Sequence, residues 1–232
     1  YRQGWDLAAK QHVAMVDEHY YQSPGWFIHN QDYYDRYDRS KSKVYLGEYA
    51  AHLPGRPNNL ETALAEALYL TALERNGDIV SMASYAPLLA REGHTQWNPD
   101  LIYFNNSEVK PTVGYEVQKL YGHNAGNEYL PAAVGFSNNQ EAVRQRVAVS
   151  VVRDSKTRDL IIKMVNLLPV TVNTTTDPGN IVIASPDAVK TVLQGRPGDK
   201  DVKPVVSACT VSGKLMTALP PYSFTLIRIK TK

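Results

Sequence analysis

Val13-Ala14-Met15-Val16-Asp17-Glu18-His19-Tyr20-Tyr21 and Val44-Tyr45-Leu46-Gly47-Glu48-Tyr49-Ala50 share a pattern: a short apolar run that closes on a carboxylate beside tyrosine. Short continuous apolar runs are what strands buried on both faces of a parallel sheet require. Working outward, Pro24 opens a short aromatic stretch, helical or irregular, and residues 40–43 make a polar turn. Asn58 or Asn59 caps a helix whose stripe is Leu60, Leu64, Leu68 and Ala72, and Asn76-Gly77 stops it. Residues 79–85 make a third strand before Pro87, and residues 91–100 a long polar loop. Residues 101–104 are a short extended run, and Pro111 starts a last helix over residues 112–121. Three successive β/α units predict an α/β sheet or barrel.

The remainder of the chain has another period. Residues 146–152, 160–168, 191–193, 205–211 and 224–229 are rich in strand formers. Asp177-Pro178-Gly179, Arg196-Pro197-Gly198-Asp199 and Pro220-Pro221 separate them. Short strands with this punctuation predict an antiparallel β-sandwich that serves as scaffold. Composition divides at the same place. Residues 1–130 carry all six His, all three Trp and fourteen of the fifteen Tyr, with 16 acidic and 11 basic side chains. Residues 131–232 carry 7 acidic and 14 basic side chains and only Tyr222 among the polar aromatics. The aromatic, acidic first part is therefore the working part.

Among the 232 residues, 43% are apolar, enough for a core, and the net charge is +2. No stretch approaches 18 uninterrupted apolar residues, which excludes a membrane-spanning helix. The single Cys209 excludes an internal disulfide and any multi-cysteine metal site, and leaves the compartment open. Basic charges in the second part are scattered rather than clustered with aromatics, which argues against nucleic acid as a partner. The six His lack ligand spacing, phosphate-binding glycine loops are absent, and no serine elbow occurs, so neither a metal nor a cofactor is expected.

The chemistry gathers at strand ends. Asp17, Glu18, His19 and Tyr21 follow the first strand, Glu48 and Tyr49 the second, and His94, Gln96 and Trp97 come after the third. In a barrel these ends share the face that carries the active site. Burying a carboxylate there costs several kcal/mol unless it is paired. His and Tyr beside it are groups able to hold a nucleophilic carboxylate ionised and oriented. Trp97 suits stacking on a sugar ring. Each residue has an ordinary structural role open to it as well. A strand-end Glu serves as a surface or salt-bridged residue, residues 33–37 as helix packing, and Trp97 as a plug for the barrel mouth.

The segments 16–21, 44–50 and His94-Thr95-Gln96-Trp97-Asn98-Pro99-Asp100-Leu101-Ile102 together resemble the α-L-arabinofuranosidases of glycoside hydrolase family 51. The closing Leu219-Pro220-Pro221-Tyr222-Ser223-Phe224-Thr225 resembles the last strand of that family's C-terminal sandwich. The resemblance implies the C-terminal portion of a (β/α)8 TIM barrel over residues 1–126, with the three units as strands six to eight. A β-sandwich over residues 127–232 follows. It implies Glu48 as the nucleophile of a retaining hydrolase, His19 and Tyr21 lining the pocket, and Gln96 and Trp97 touching the sugar, with no cofactor. Glu18 is not carried over.

An eight-stranded barrel needs about 250 residues, twice what residues 1–126 provide, and the chain starts at Tyr1 without methionine. The expectation is a C-terminal piece of a longer, secreted or periplasmic enzyme; a complete small open α/β domain is the other reading. The family's acid/base glutamate, in a Gly-Asn-Glu motif after strand four, would then lie outside this sequence. Gly126-Asn127-Glu128 falls after the nucleophile in chain order and is read as coincidence. An isolated piece is expected to be inactive and to expose apolar sheet edges. Its expected partners are an arabinose-containing carbohydrate, the missing half of the barrel and a second copy. A non-catalytic carbohydrate-binding or assembly module, and a retaining glycosidase for another sugar such as xylose, are the alternatives.

Overall fold

A computed structural model describes residues 2–232; Tyr1, where the sequence starts, lies outside the described residues. The fold is mixed α/β. Helix α1 (Arg2–Lys10) leads to β1 (Met15–Gln22), α2 (Pro24–His29), a 3-10 turn at Tyr34–Arg36, β2 (Lys43–Ala51), α3 (Leu60–Arg75) and β3 (Val80–Ala83). β1, β2 and β3 pair in that order as a parallel sheet. Two of these strands outrun their apolar stretches. β1 continues through Asp17, Glu18 and His19 to Gln22, and β2 through Glu48 to Ala51. The carboxylates expected just past strand ends therefore sit inside the ladder. Tyr20, Tyr21, Tyr45 and Tyr49 supply the aromatic surface that extends the pleat.

Asn59, not Asn58, caps α3: its side chain accepts from Thr62 N–H at 3.1 Å, and Thr62 Oγ1 accepts from Asn59 N–H at 3.2 Å. The helix is apolar nearly all round because it is covered on both sides. Ala65, Tyr69 and Leu73 pack towards the parallel sheet, and Leu60, Leu64 and Leu68 towards the second sheet. Residues 89–111 fold into a small mixed sheet of β4 (Leu89–Arg91), β5 (Ile102–Phe104) and β6 (Val109–Pro111), which the polar character of the segment conceals. Thr112 then caps α4 (Val113–His123).

β7 (Glu128–Tyr129), α5 (Glu141–Arg144), β8 (Val147–Asp154), β9 (Asp159–Asn166), β10 (Val172–Thr176), β11 (Ile183–Gln194), β12 (Val205–Thr210), β13 (Leu215–Leu219) and β14 (Ser223–Thr231) complete the chain. Six strands form an antiparallel sheet in the order β12-β11-β14-β9-β8-β7, and β10 pairs with β13. Leu160, Ile162, Met164, Ile227 and Ile229 meet Leu215 and Leu219 across one apolar core. The opposite face, with Ile161, Val165, Phe224 and Leu226, packs on Leu64, Leu68, Val117 and Tyr121 of the helices. β9, buried along its whole length, lies between these two cores. Five elements, α1, β7, α5, β10 and β13, have no clear signal in the sequence, and β11 starts eight residues before the 191–193 run. Its first half alternates polar and small residues and is held by pairing with β14 and β12.

Buried Lys163 of β9 pairs with Glu74 of α3, and Ser150 donates to the same carboxylate. Burial alone pushes the Lys163 ammonium down from its ordinary range, and the Glu74 charge opposes that. Such a pair ties helix layer to sheet in one register. Met82, Leu88, Leu89 and Val109 are exposed on the parallel and mixed sheets.

Candidate functional site

A β-bulge creates the site. β1 and β2 pair Asp17 with Tyr45 and Glu18 with Leu46, but His19 with Glu48, so Gly47 is an extra residue with no partner across the ladder. Simple alternation would put Glu48 on the same face as Leu46, which is fully buried. The extra residue turns Glu48 to the other face, beside Asp17, His19 and Tyr21. Gly47 N–H donates to Asp17 Oδ1 at 3.1 Å, and Gly47 C=O accepts from Ser84 Oγ at 2.6 Å. Both backbone groups released by the bulge are thereby satisfied. A Cβ on residue 47 would overlap the Asp17 carboxylate, so a larger residue here would displace Asp17 from its bond to the residue 47 N–H.

Tyr21 donates its hydroxyl hydrogen to Glu48 Oε2 at 2.6 Å. Burial, then the hydrogen bond to Glu48 and its charge, push the Tyr21 phenol well above its ordinary range, so it remains a donor at neutral pH. His19 Nδ1 lies 3.4 Å from the same oxygen, and its Nε2 is 3.0 Å from Asp17 Oδ2. An imidazolium donates to both carboxylates, whereas a neutral ring donates to one. Both neighbours address Oε2. Oε1 accepts no hydrogen bond among the described residues, and the Glu48 side chain is 40% exposed. One oxygen is thus held while the other faces open space.

The Tyr21 ring stacks on His52 with centroids 5.3 Å apart and meets Trp97 edge-on at 6.2 Å. Trp97 is 46% exposed, and Arg56 lies over its ring at 5.9 Å. Burial, and then Arg56, lower the His52 imidazole, which favours the neutral ring against Tyr21. The structure therefore brings Glu48, His19, Tyr21 and Trp97 together, whereas Gln96 is exposed on the neighbouring turn and is not drawn into the group. Asp17, Gly47, His52, Ser84 and Arg56 also belong to it. Asp17 was already marked by its place after the first apolar run, and of the other four only Gly47, an isolated glycine inside a strand pattern, had a local signal.

Glu18 lies on the opposite face of β1 and is 6% exposed. It accepts from Trp5 Nε1 at 2.8 Å, Tyr20 at 2.9 Å, Tyr34 at 3.2 Å and Tyr37 at 2.9 Å. Residues 33–37 are thus packing and hydrogen-bonding groups around this carboxylate. Gly126-Asn127-Glu128 is engaged elsewhere. Glu128 takes two hydrogen bonds from Arg153, Asn127 pairs with Ser155, and a Cβ at Gly126 would meet Arg153 C=O at 2.7 Å. Cys209 lies on β12, with burial pushing its thiol up. Among the described residues no group of three or more His, Cys, Asp or Glu is placed to hold a metal ion, and no helix is long and apolar enough to cross a membrane.

The family model described as the alpha-L-arabinofuranosidase C-terminal domain matches residues 33–223. An extracellular exo-alpha-L-arabinofuranosidase of Streptomyces chartreusis is 51% identical over 128 residues, 55% of this chain and 15% of that protein. Alpha-L-arabinofuranosidase 1 of Arabidopsis thaliana is 37% identical over 121 residues, 51% of this chain and 18% of that protein. Among solved structures, the arabinose-bound MgGH51 α-L-arabinofuranosidase superposes with a TM-score of 0.86 at 28% identity, covering 94% of this chain and 37% of that one. The GH51 arabinofuranosidase of Xanthomonas axonopodis pv. citri gives 0.72 at 18% identity over 96% of this chain and 54% of its own, a likeness of fold alone. The matches thus span 15–18% of the two relatives' sequences and 37–54% of the two solved chains.

Proposed function

Since the chain belongs to the alpha-L-arabinofuranosidase C-terminal domain family, we propose that it is the nucleophile-bearing part of a retaining glycoside hydrolase. The hydrolase releases non-reducing terminal α-L-arabinofuranosyl residues from arabinose-containing plant polysaccharides or oligosaccharides. The observation that carries this is the Tyr21–Glu48 hydrogen bond of 2.6 Å, made to one carboxylate oxygen while the other stays open. Residues 1–126 are the C-terminal portion of a (β/α)8 barrel and residues 127–232 a β-sandwich. The parallel order β1-β2-β3 and the two antiparallel layers support this division. The extracellular description of the Streptomyces chartreusis relative supports secretion of the whole protein.

In this reading Glu48 Oε1 attacks the anomeric carbon. A C–O bond to Glu48 forms as the glycosidic C–O bond breaks, and the departing oxygen takes a proton from a second carboxyl group. That group stands about 5–5.5 Å from the nucleophile in retaining enzymes and lies, on the family pattern, outside residues 1–232. Water then attacks the same carbon, returns a proton to the second carboxylate and frees Glu48. Tyr21 and His19 keep Oε2 hydrogen-bonded throughout, so Glu48 reaches the sugar ionised and in one orientation. Trp97 stacks on the sugar, and Gln96, exposed on the same turn and outside the Glu48 group, reaches the sugar only once it is bound.

The test is intact-mass analysis of the full-length protein after incubation with an arabinofuranose-configured mechanism-based inactivator. A one-sugar adduct mapping to Glu48 is expected. An adduct on another carboxylate removes Glu48 as nucleophile. A folded protein with no adduct at all moves the assignment to a non-catalytic carbohydrate-binding module.

A further inference from the structure

The loop joining β11 to β12 reaches the helix layer on the side where β2 ends. Leu60 N–H and Glu61 N–H, the first donors of α3, bond to Asp199 C=O at 2.8 Å and Pro197 C=O at 2.9 Å. These are donors that a helix leaves without internal partners. The loop is itself tied: Arg196 N–H donates to Asp199 Oδ2 at 2.8 Å, and Asp199 N–H to Arg196 C=O at 3.0 Å. Lys203 fixes its far end by donating to Glu116 of α4 at 2.9 Å. Between these anchors the side chains of Lys200 and Asp201 enter no hydrogen bond or ion pair among the described residues.

Lys200 and Asp201 line a cleft of about 370 Å³ whose other wall holds Arg56, Asn98, Tyr103 and Lys110. Its size falls at the small end of the roughly 300–1,000 Å³ of ligand clefts. The cleft joins the Glu48 group through two contacts. Arg56 Nη1 donates to Asn98 C=O at 3.3 Å while its guanidinium lies over Trp97, and Trp97 meets Tyr21. The backbone is shaped for this. Gly55 and Arg56 adopt φ of +74° and +49°, and the second value is uncommon for a side-chain-bearing residue. Tyr103 OH donates to Asn98 Oδ1 at 3.1 Å and accepts from Asp100 N–H at 3.0 Å, so its ring is fixed in the wall.

We propose that residues 197–201 of the β11–β12 loop, with Arg56, Asn98 and Tyr103, form the subsite for the main-chain sugar to which the arabinofuranosyl group is attached. This rests on the hydrolase reading above and gives the antiparallel part a share in substrate binding, where the sequence predicts only scaffold. A mixed set of cationic, anionic and amide groups around an aromatic wall matches a neutral, hydroxyl-rich sugar. Such a ligand offers donors and acceptors in every direction. Glu48 acts on the sugar held at Tyr21 and Trp97, and the loop grips what leaves.

The test compares the full-length protein with its Lys200→Ala/Asp201→Ala variant on two substrates, an arabinoxylan-derived oligosaccharide and a small aryl arabinofuranoside. The ratio of kcat/KM values, oligosaccharide over aryl glycoside, is expected to fall about tenfold, the size of one or two lost polar contacts. A preserved ratio, including an equal fall on both substrates, overturns the subsite. A wild-type protein inert on the aryl arabinofuranoside overturns the hydrolase reading instead. NMR titration with the same oligosaccharide then decides the subsite alone: weaker binding by the variant supports it, equal binding refutes it.

Discussion

Glu18 and Glu48 lie on adjacent strands of one parallel sheet, close in register, and face opposite ways. Glu18 is 6% exposed and bonded by Trp5, Tyr20, Tyr34 and Tyr37. Glu48 is 40% exposed at its side chain and is addressed on one oxygen only. A carboxylate whose lone pairs are taken up by neutral donors is a structural post, and one with an oxygen left open is able to react. The difference comes from the environment, since the side chains are identical. Donors buried around Glu18 and a bulge at Gly47 decide which glutamate is enclosed and which keeps an open oxygen.

Glu48→Gln in the full-length protein is expected to separate the two glutamates most. Removal of a nucleophile lowers kcat by roughly 10⁴–10⁶-fold, and arabinofuranoside assays are expected to show a loss in that range. Near-normal turnover would make Glu48 no more than another polar residue. Glu18→Ala should do the reverse. It strands four donors and is expected to lower the unfolding free energy by about 3 kcal/mol. Urea denaturation reads that loss, while kcat/KM of the folded protein stays within a few-fold. Loss of activity without loss of stability would mean Glu18 is part of the reacting group.

Tyr21→Phe tests what holds the open glutamate. Hydrogen bonds to charged groups contribute about 1.5–3 kcal/mol, so kcat/KM is expected to fall about 10–100-fold with little change in stability. An unaltered rate would leave orientation of Glu48 to His19 alone.

A third glutamate extends the contrast. Glu66 is 1% exposed on α3, where Oε1 accepts from Ala51 N–H at 2.9 Å and the Gln118 side chain adjoins the carboxyl group. Burial pushes it up to about 8 from 4.5. Between those values the folded chain keeps a proton that the unfolded chain has lost. Stability therefore falls as pH rises through that window, by up to about 1.4 kcal/mol per pH unit. Glu66→Gln should flatten this slope in urea melts taken between pH 5 and 8. An undiminished slope would place the titrating group elsewhere.

Much of the fold was legible because its signals are local. Apolar runs at 13–16 and 44–47, the Asn59 cap and the Pro-Gly turns each act over a few residues. The motifs around His19, Glu48 and Trp97 were legible for the same reason, and the structure brings these three residues together with Tyr21. Strand ends were not, because Tyr20, Tyr21 and Tyr49 carry the pleat past the polar residues only when a neighbouring strand pairs with them. The small sheet at residues 89–111 was hidden likewise, its three-residue strands being held by each other.

The order β1-α2-β2-α3-β3-α4, the change to antiparallel strands further along the chain and the residue types at the site are all written locally in the sequence. Which carboxylate is enclosed and which stays open is set by packing between distant segments. A side chain's face depends on strand register, and one inserted residue reverses it. Gly47 is accommodated because Asp17 and Ser84, thirty and thirty-seven residues away, take up its backbone groups. The same holds for residues 197–201, whose place beside Arg56 follows from docking on the first turn of α3. Local chemistry names the candidates, and long-range packing sets which of them meet.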